Sequence, residues 1–139
     1  MKMLIYSIAL ITLLSCSTDN ESKAVDNVSI QTTKNYLLKP EEFKKMILNE
    51  DVVILDVRTA YEVAGGNIYG AINIDYNGDN FKESISELDK SKTYLVYCHS
   101  GGRSSKTRTV MNDLGFKDVY DLQGGITSWK NQGYDWELK

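Results

Sequence analysis

The chain has 139 residues, 42% of them hydrophobic and 25% charged, with a formal net charge of −3. That is enough chain for one domain with a buried core, and the balance is that of a folded, soluble protein rather than a fibrous or disordered one. The negative charge and the lack of any Lys/Arg run argue against a nucleic-acid partner. One histidine and two cysteines fall short of a four-ligand metal set, so no metal or other cofactor is expected.

Met1-Lys2-Met3 opens the chain with a short positive segment, and residues 4–14 are apolar. A membrane span needs about 20 such residues, so this stretch reads as a secretory leader rather than a span. Its end, Leu13-Leu14-Ser15-Cys16, resembles a bacterial lipobox, in which Cys16 becomes the lipidated N-terminus. A plain secretory signal and an uncleaved anchor are the competing readings. Residues 17–34 are largely polar and cannot bury enough apolar area to fold alone. The expectation is a leader at 1–15, a lipid-anchored tether at 16–34 and a folded domain at 35–139. That domain is placed in the bacterial cell envelope, facing outside the cytoplasm, in the periplasm or at the cell surface.

Within the domain, residues 36–38 read as a short strand. Pro40 suits a first helical turn, and Phe43, Met46 and Ile47 repeat at helical spacing through Asn49. Residues 52–55 are an unbroken apolar run, the pattern of a strand buried on both faces. A short helix at 59–64 closes on Gly65-Gly66. A strand at 71–74, a loop at 77–80 and a helix marked by Phe81, Ile85 and Leu88 follow. Residues 94–97 form the next strand, 104–114 a helix stopped by Gly115, 119–122 a strand and 125–131 a last short helix. The alternation predicts an α/β fold: a central parallel sheet of about five strands with helices on both faces. Ligands on such sheets sit beyond the carboxyl ends of the strands, where Cys98, Asp56 and Arg58 fall.

The run Tyr97-Cys98-His99-Ser100-Gly101-Gly102-Arg103-Ser104 carries the chemistry. A cysteine between a strand end and a helix start lies among backbone amides and the positive end of a helix dipole. That setting favours thiolate over thiol and makes a nucleophile. Gly101 and Gly102 let the backbone curl with its amides inward, and Arg103 adds positive charge. The glycine-rich surroundings predict an accessible rather than a buried thiol. Arg103 is left with two readings: an anion ligand, or a brace folded back onto an acid such as Asp56 or Glu62. Arg58 is left between substrate contact and an ion pair fixing the loop. His99, adjacent to Cys98 on a tight loop, is poorly placed as its base and reads as a loop-surface residue. Tyr97, Trp129 and Trp136 read as packing residues, and Gly124-Gly125 as a tight turn.

This loop resembles the active-site loop of the rhodanese family, C-x-x-G-x-R-[ST]. Three further segments resemble that family in order and spacing: Ile54-Leu55-Asp56-Val57-Arg58; Tyr61-Glu62 with Gly66-Asn67-Ile68-Tyr69-Gly70-Ala71-Ile72-Asn73-Ile74; and Asp121-Leu122-Gln123-Gly124-Gly125-Ile126 with Trp129 and Gly133. The likeness covers about residues 36–137. Asn67 stands where the family usually has His, a position read as structural.

The resemblance implies a rhodanese-like fold and a sulfurtransferase. Cys98 would take sulfane sulfur from a donor such as thiosulfate as a persulfide and pass it to a thiol or cyanide-like acceptor, or to a protein acceptor. His99, Ser100, Gly101, Gly102, Arg103 and Ser104 would cradle the anion, with Asp56 and Arg58 in support. The membrane is a partner only through lipid on Cys16. A phosphatase or arsenate reductase on the same fold is the runner-up, disfavoured because Cys98 to Arg103 spans six residues and those enzymes carry one more. A non-catalytic module that binds a partner is disfavoured by the retained cysteine and arginine. A thiol sensor would use the same low-pKa cysteine for reversible oxidation.

Overall fold

A computed structural model describes residues 36–137. The expected leader at 1–15, Cys16 and the tether at 16–34 lie outside the described residues. Ten elements follow in strict alternation: β1 (Leu37–Leu38), α1 (Pro40–Ile47), β2 (Val52–Asp56), α2 (Ala60–Ala64), β3 (Ile72–Asn73), α3 (Phe81–Ser86), β4 (Thr93–Tyr97), α4 (Gly102–Asp113), β5 (Val119–Leu122) and α5 (Gly125–Asn131). The five strands form one sheet in the order β1-β5-β4-β2-β3, and every pairing is parallel.

β4 lies at the centre and is covered on both faces, which is why Thr-Tyr-Leu-Val-Tyr shows no polar alternation. Tyr94, Val96 and Cys98 face one apolar cluster with Phe81 and Ile85 of α3 and Met111 of α4. Leu95 and Tyr97 face a second cluster with Phe43 of α1 and Ile126 and Trp129 of α5. The two-residue side-chain period of a strand thus sends consecutive residues of β4 to opposite cores.

Tyr97 and Trp129 are buried packing residues, as expected, and Trp136 packs at the border of the second cluster. Asn67 is buried as well. Its backbone pairs with Glu137 and its side-chain amide donates to Ala71 O at 3.3 Å, so the position is structural.

The sheet reverses its direction of growth between β2 and β4. Connections leave these neighbours toward opposite sides, which opens a crevice beyond their carboxyl ends. Asp56 pairs with Tyr97 in register there, and Val57 N–H donates to Tyr97 O at 3.0 Å. Arg58 and Cys98 emerge on either side of that last rung.

Candidate active site

Cys98 follows the last residue of β4, and the chain turns at once. Gly101, at φ +107°, adopts a conformation that side chains disfavour, and this lets α4 begin at Gly102. The helix therefore starts two residues before the expected Ser104 and wraps its first turn around the sulfur. Cys98 Sγ accepts the Gly101 N–H at 3.1 Å and lies 3.5 Å from Ser104 Oγ. Burial pushes the thiol up. The Ser104 hydroxyl and the amides of Ser104, Gly101 and Ser100 outweigh it, so the net shift is downward, toward thiolate.

The expected accessible thiol is corrected. Cys98 is 1% exposed, because the strand period points it into the α3–α4 core rather than along the loop. A reacting atom must enter the amide cradle itself to meet the sulfur.

Arg103 folds back. Its Nη1 and Nη2 donate to the two carboxylate oxygens of Glu62, each at 2.7 Å. Glu62 is held in place by helix α2: Thr59 caps that helix, accepting from Glu62 N–H at 3.3 Å, while Thr59 N–H donates back to Glu62 Oε2 at 3.0 Å. The Arg103 guanidinium, with the Thr59 donors and against partial burial, lowers the Glu62 carboxyl to about 2. His99 is exposed, with Nδ1 3.9 Å from Glu62 Oε1.

Arg58 is a brace. Its Nε reaches both Asp56 oxygens at 3.0 Å, and its Nη2 donates to Asp56 Oδ2 at 2.6 Å and to Gly66 O at 2.8 Å. Both residues are buried. Burial opposes the guanidinium charge, and Asp56 more than offsets it, so its pKa is raised. Burial, joined by the same carboxylate, pushes the Tyr97 hydroxyl far up, which keeps it a neutral phenol that accepts the Ile68 N–H at 3.0 Å. Asn73 completes the corner, donating to Asp56 O at 2.8 Å and Arg58 O at 2.9 Å.

Two contributors named in the sequence have places at the site that the sequence reading did not give them. The Gly124-Gly125 turn docks α5 against the loop: Ile126 N–H donates to Cys98 O at 2.9 Å and Thr127 N–H to His99 O at 3.2 Å. A Cβ on Gly125 would sit 2.5 Å from Cys98 O, so the approach excludes any side chain there. Asp121, on β5, is buried behind Ser104. An acid inside an otherwise apolar strand is the signal that marks it.

Beside the loop, a cleft of about 320 Å³ is lined by Arg58, Glu62, His99, Thr127 and Lys130 among others. Cys98 does not line it; the two share the loop as a wall. Among the described residues no group of acids, His and Cys is arranged to hold a metal, and no helix is long and apolar enough to cross a membrane.

Comparison with known proteins places this geometry. The family model of the rhodanese-like domain matches residues 39–132. The tRNA uridine(34) hydroxylase of Cytophaga hutchinsonii is 43% identical over 107 residues, which are 73% of this chain and 34% of that protein. The protein of the same name from Acaryochloris marina is 39% identical over 71% of this chain and 33% of its own length. The chain thus spans about a third of these curated relatives. A crystal structure of a rhodanese-related protein from Thermoplasma volcanium superposes with a TM-score of 0.66 at 30% identity, covering 73% of this chain and 97% of that one.

These findings correct three expectations. The curated relatives are named for uridine hydroxylation of tRNA, not for sulfur transfer, and this overturns the thiosulfate-type sulfurtransferase reading with its sulfane donor and cyanide-like acceptor. The phosphatase, arsenate reductase, binding-module and thiol-sensor readings do not match those names either. The physical reason is that an amide cradle stabilises a thiolate for any electrophile; nothing in residues 98–104 selects one. The expected placement of the domain outside the cytoplasm is corrected on the same finding, since the relatives are named for a tRNA substrate; the leader and the lipid on Cys16 fall outside the described residues. The exclusion of nucleic acid conflicts with that name too. A net charge of −3 averages the whole chain and does not describe the cleft itself, where Lys130 stands with Glu62 and with the Asp56-paired Arg58.

Proposed function

The chain belongs to the rhodanese-like domain family, and from that premise we propose that residues 35–139 form a thiolate-dependent catalytic domain acting on a tRNA uridine. The observation that carries this reading is the buried Cys98 sulfur held by the Gly101 amide and the Ser104 hydroxyl in the first turn of α4. Three relatives of this chain, from Cytophaga hutchinsonii, Acaryochloris marina and Streptococcus sanguinis, carry the substrate class in their name.

A uracil ring is electrophilic at C6, because its C5–C6 double bond is conjugated with the C4 carbonyl. The Cys98 thiolate adds to C6, and the electron pair of the double bond moves to C5 as an enolate. That carbon then attacks an oxidant of the peroxide class: the C5–O bond forms, the O–O bond breaks, and the distal oxygen leaves as hydroxide with the electron pair. Loss of the C5 proton and departure of the thiolate from C6 restore the double bond and leave a C5 hydroxyl. The cradle amides that favoured the thiolate at the start receive it again at the end, so no new solvation is needed on release.

The remaining residues hold this geometry. The backbone amides of Ser100, Gly101 and Ser104 form the cradle, His99 and Gly102 carry the loop on either side, and the Arg103–Glu62 pair fixes its rim. Asp56 and Arg58 lock the neighbouring strand end. The cleft beside the loop, with Lys130 and Thr127, suits the phosphate and ribose of a flanking nucleotide rather than the reacting base, since Cys98 does not line it.

The test is nucleoside mass spectrometry of tRNA from a host lacking its own uridine-34 hydroxylase. Expression of the full chain restores hydroxyuridine, and Cys98→Ser does not. A wild-type chain that restores none, or a serine variant that restores as much, refutes the reading.

A further inference from the structure

Helix α5 turns two faces in different directions. Ile126 and Trp129 face the core, while Thr127, Lys130 and Asn131, spaced i, i+3 and i+4, are exposed and line the cleft beside the loop. The charges around that cleft are matched in pairs. Arg58 is paired with Asp56, and Glu62 with Arg103. The Arg58 fork is also fully engaged, since its nitrogens donate to Asp56, to Glu62 O and to Gly66 O. Among the described residues no acid pairs with Lys130, so its ammonium is left over.

Lys130 does not swing free. Its Nζ stands 3.3 Å from the centroid of the Trp136 ring, a cation held on the face of an indole. Trp136 is fixed in turn by the strap that follows α5. Asn67 N–H donates to Glu137 O at 2.8 Å, Glu137 N–H donates to Asn67 O at 2.7 Å, and Trp129 Nε1 donates to Asp135 O at 2.9 Å. The ring lies so close to Gly66 that a Cβ there would collide with it and with Glu137 O. The same Gly66 gives its carbonyl to Arg58. Ring, strap and strand corner thus form one continuous wall, and a lysine, whose four-carbon stem is otherwise flexible, is held at a set point on it. Slight burial, and then the Arg58 charge, keep the Lys130 pKa below its ordinary value; an anion in the cleft relieves the second.

We propose that Lys130 binds one phosphodiester of the RNA strand that carries the target uridine, and that Trp136 is its positioning residue. A phosphodiester carries a single negative charge, which matches the single unpaired ammonium. Thr127 gives its hydroxyl proton to His99 O at 2.9 Å, so its oxygen is left to accept from a ribose hydroxyl. The stripe from Thr127 to Asn131 climbs about 6 Å along the helix, which reaches past one phosphate to the sugar beside it. The cleft, about 320 Å³, is several times the size of a free phosphate.

This inference rests on the reading of the chain as a tRNA-modifying domain and names how that substrate is held. Its test is binding, so it needs no turnover. A short fluorescein-labelled single-stranded RNA with uridine at its centre is titrated with the full chain at several salt concentrations and followed by anisotropy. Lys130→Met keeps the stem and drops the charge. Affinity falls by about fivefold at low salt, and the slope of log K against log[salt] shrinks by about 0.7, the share of one phosphate on a single strand. Trp136→Leu frees the lysine and weakens binding in the same way, whereas Trp136→Phe keeps an aromatic face and stays within about twofold of wild type. In the Lys130→Met background Trp136→Leu adds no further loss, because the ring acts through the ammonium. A Lys130→Met slope equal to that of wild type, or a Trp136→Leu loss of equal size in both backgrounds, overturns the proposal. So does a wild-type chain that does not bind the RNA. Inorganic phosphate that displaces the RNA as readily as the dinucleotide UpU marks a free-anion site and overturns it too. RNA binding with the expected signatures but no hydroxyuridine refutes the proposed function and leaves this inference standing. Hydroxyuridine restored by a chain whose RNA binding ignores Lys130 sinks this inference alone.

Discussion

Replacing Glu62 by Gln isolates one charge at the rim of the site. Glutamine keeps a carbonyl oxygen to accept from Thr59 N–H, so the cap of α2 survives. What goes is the paired contact with Arg103, two bonds of 2.7 Å each. The folded-state carboxyl lies at about 2 against an ordinary 4.5. That difference corresponds to a ceiling of roughly 3.4 kcal/mol. Both side chains keep about a quarter of their surface in water, 26% and 23%, so solvent screens the pair and about 1–2 kcal/mol is the expected loss at pH 7. The sign follows from the depressed pKa. The contribution is complete above about pH 5 and is lost as pH falls toward 2. Urea unfolding of wild type and variant at pH 7, 5, 4 and 3 measures it: the gap holds between pH 7 and 5 and drops below half by pH 3. A gap of the same size at pH 3, or none at pH 7, refutes the claim that the ion pair, rather than the cap, is what Glu62 contributes.

Gly125→Ala places a methyl group 2.5 Å from Cys98 O at a φ of +58°, and the clash with backbone plus the strained conformation cost about 2–4 kcal/mol in chemical unfolding. The same variant changes the alkylation rate of Cys98, because the carbonyl it displaces belongs to the loop; unchanged stability and unchanged alkylation would contradict the close approach. Arg58→Lys keeps the charge but loses the fork that spans Asp56 and Gly66 O, and it lowers stability by about 2–4 kcal/mol at pH 7. A lysine variant within about 0.5 kcal/mol of wild type, the scatter expected for surface changes, would show that the pair is not what holds that corner.

The alternation of elements was readable because the inner strands are buried on both faces, and such strands announce themselves as unbroken apolar runs. The site was readable only in part. Helix α4 begins before its apolar stripe does: its first inward residues are Ser104 and Thr107, both 0% exposed, and the stripe starts near Val110. A period-based reading therefore starts the helix late and leaves Cys98 exposed on a loop. Arg103 had two acids within reach on paper, and only the Thr59 cap decides for Glu62. Asp121 is marked in the sequence only as an acid inside an apolar strand; its burial on the Cys98 face comes from the register of β5 on β4. The reacting partner was not readable at all, because a cradle of amides describes the nucleophile and leaves the electrophile open.

The sheet's borders also have a consequence for how such a domain lives beside others. β1 and β3, the two outer strands, are two residues long each. Among the described residues an incoming strand meets at most a rung or two of backbone at each border, too little to zip onto. A sheet that ends itself this way can be fused to neighbouring modules, or crowded with copies of itself, without lengthening into a shared ribbon. The curated relatives, about three times the length of the stretch that matches this chain, carry the same stretch as one part of a larger whole.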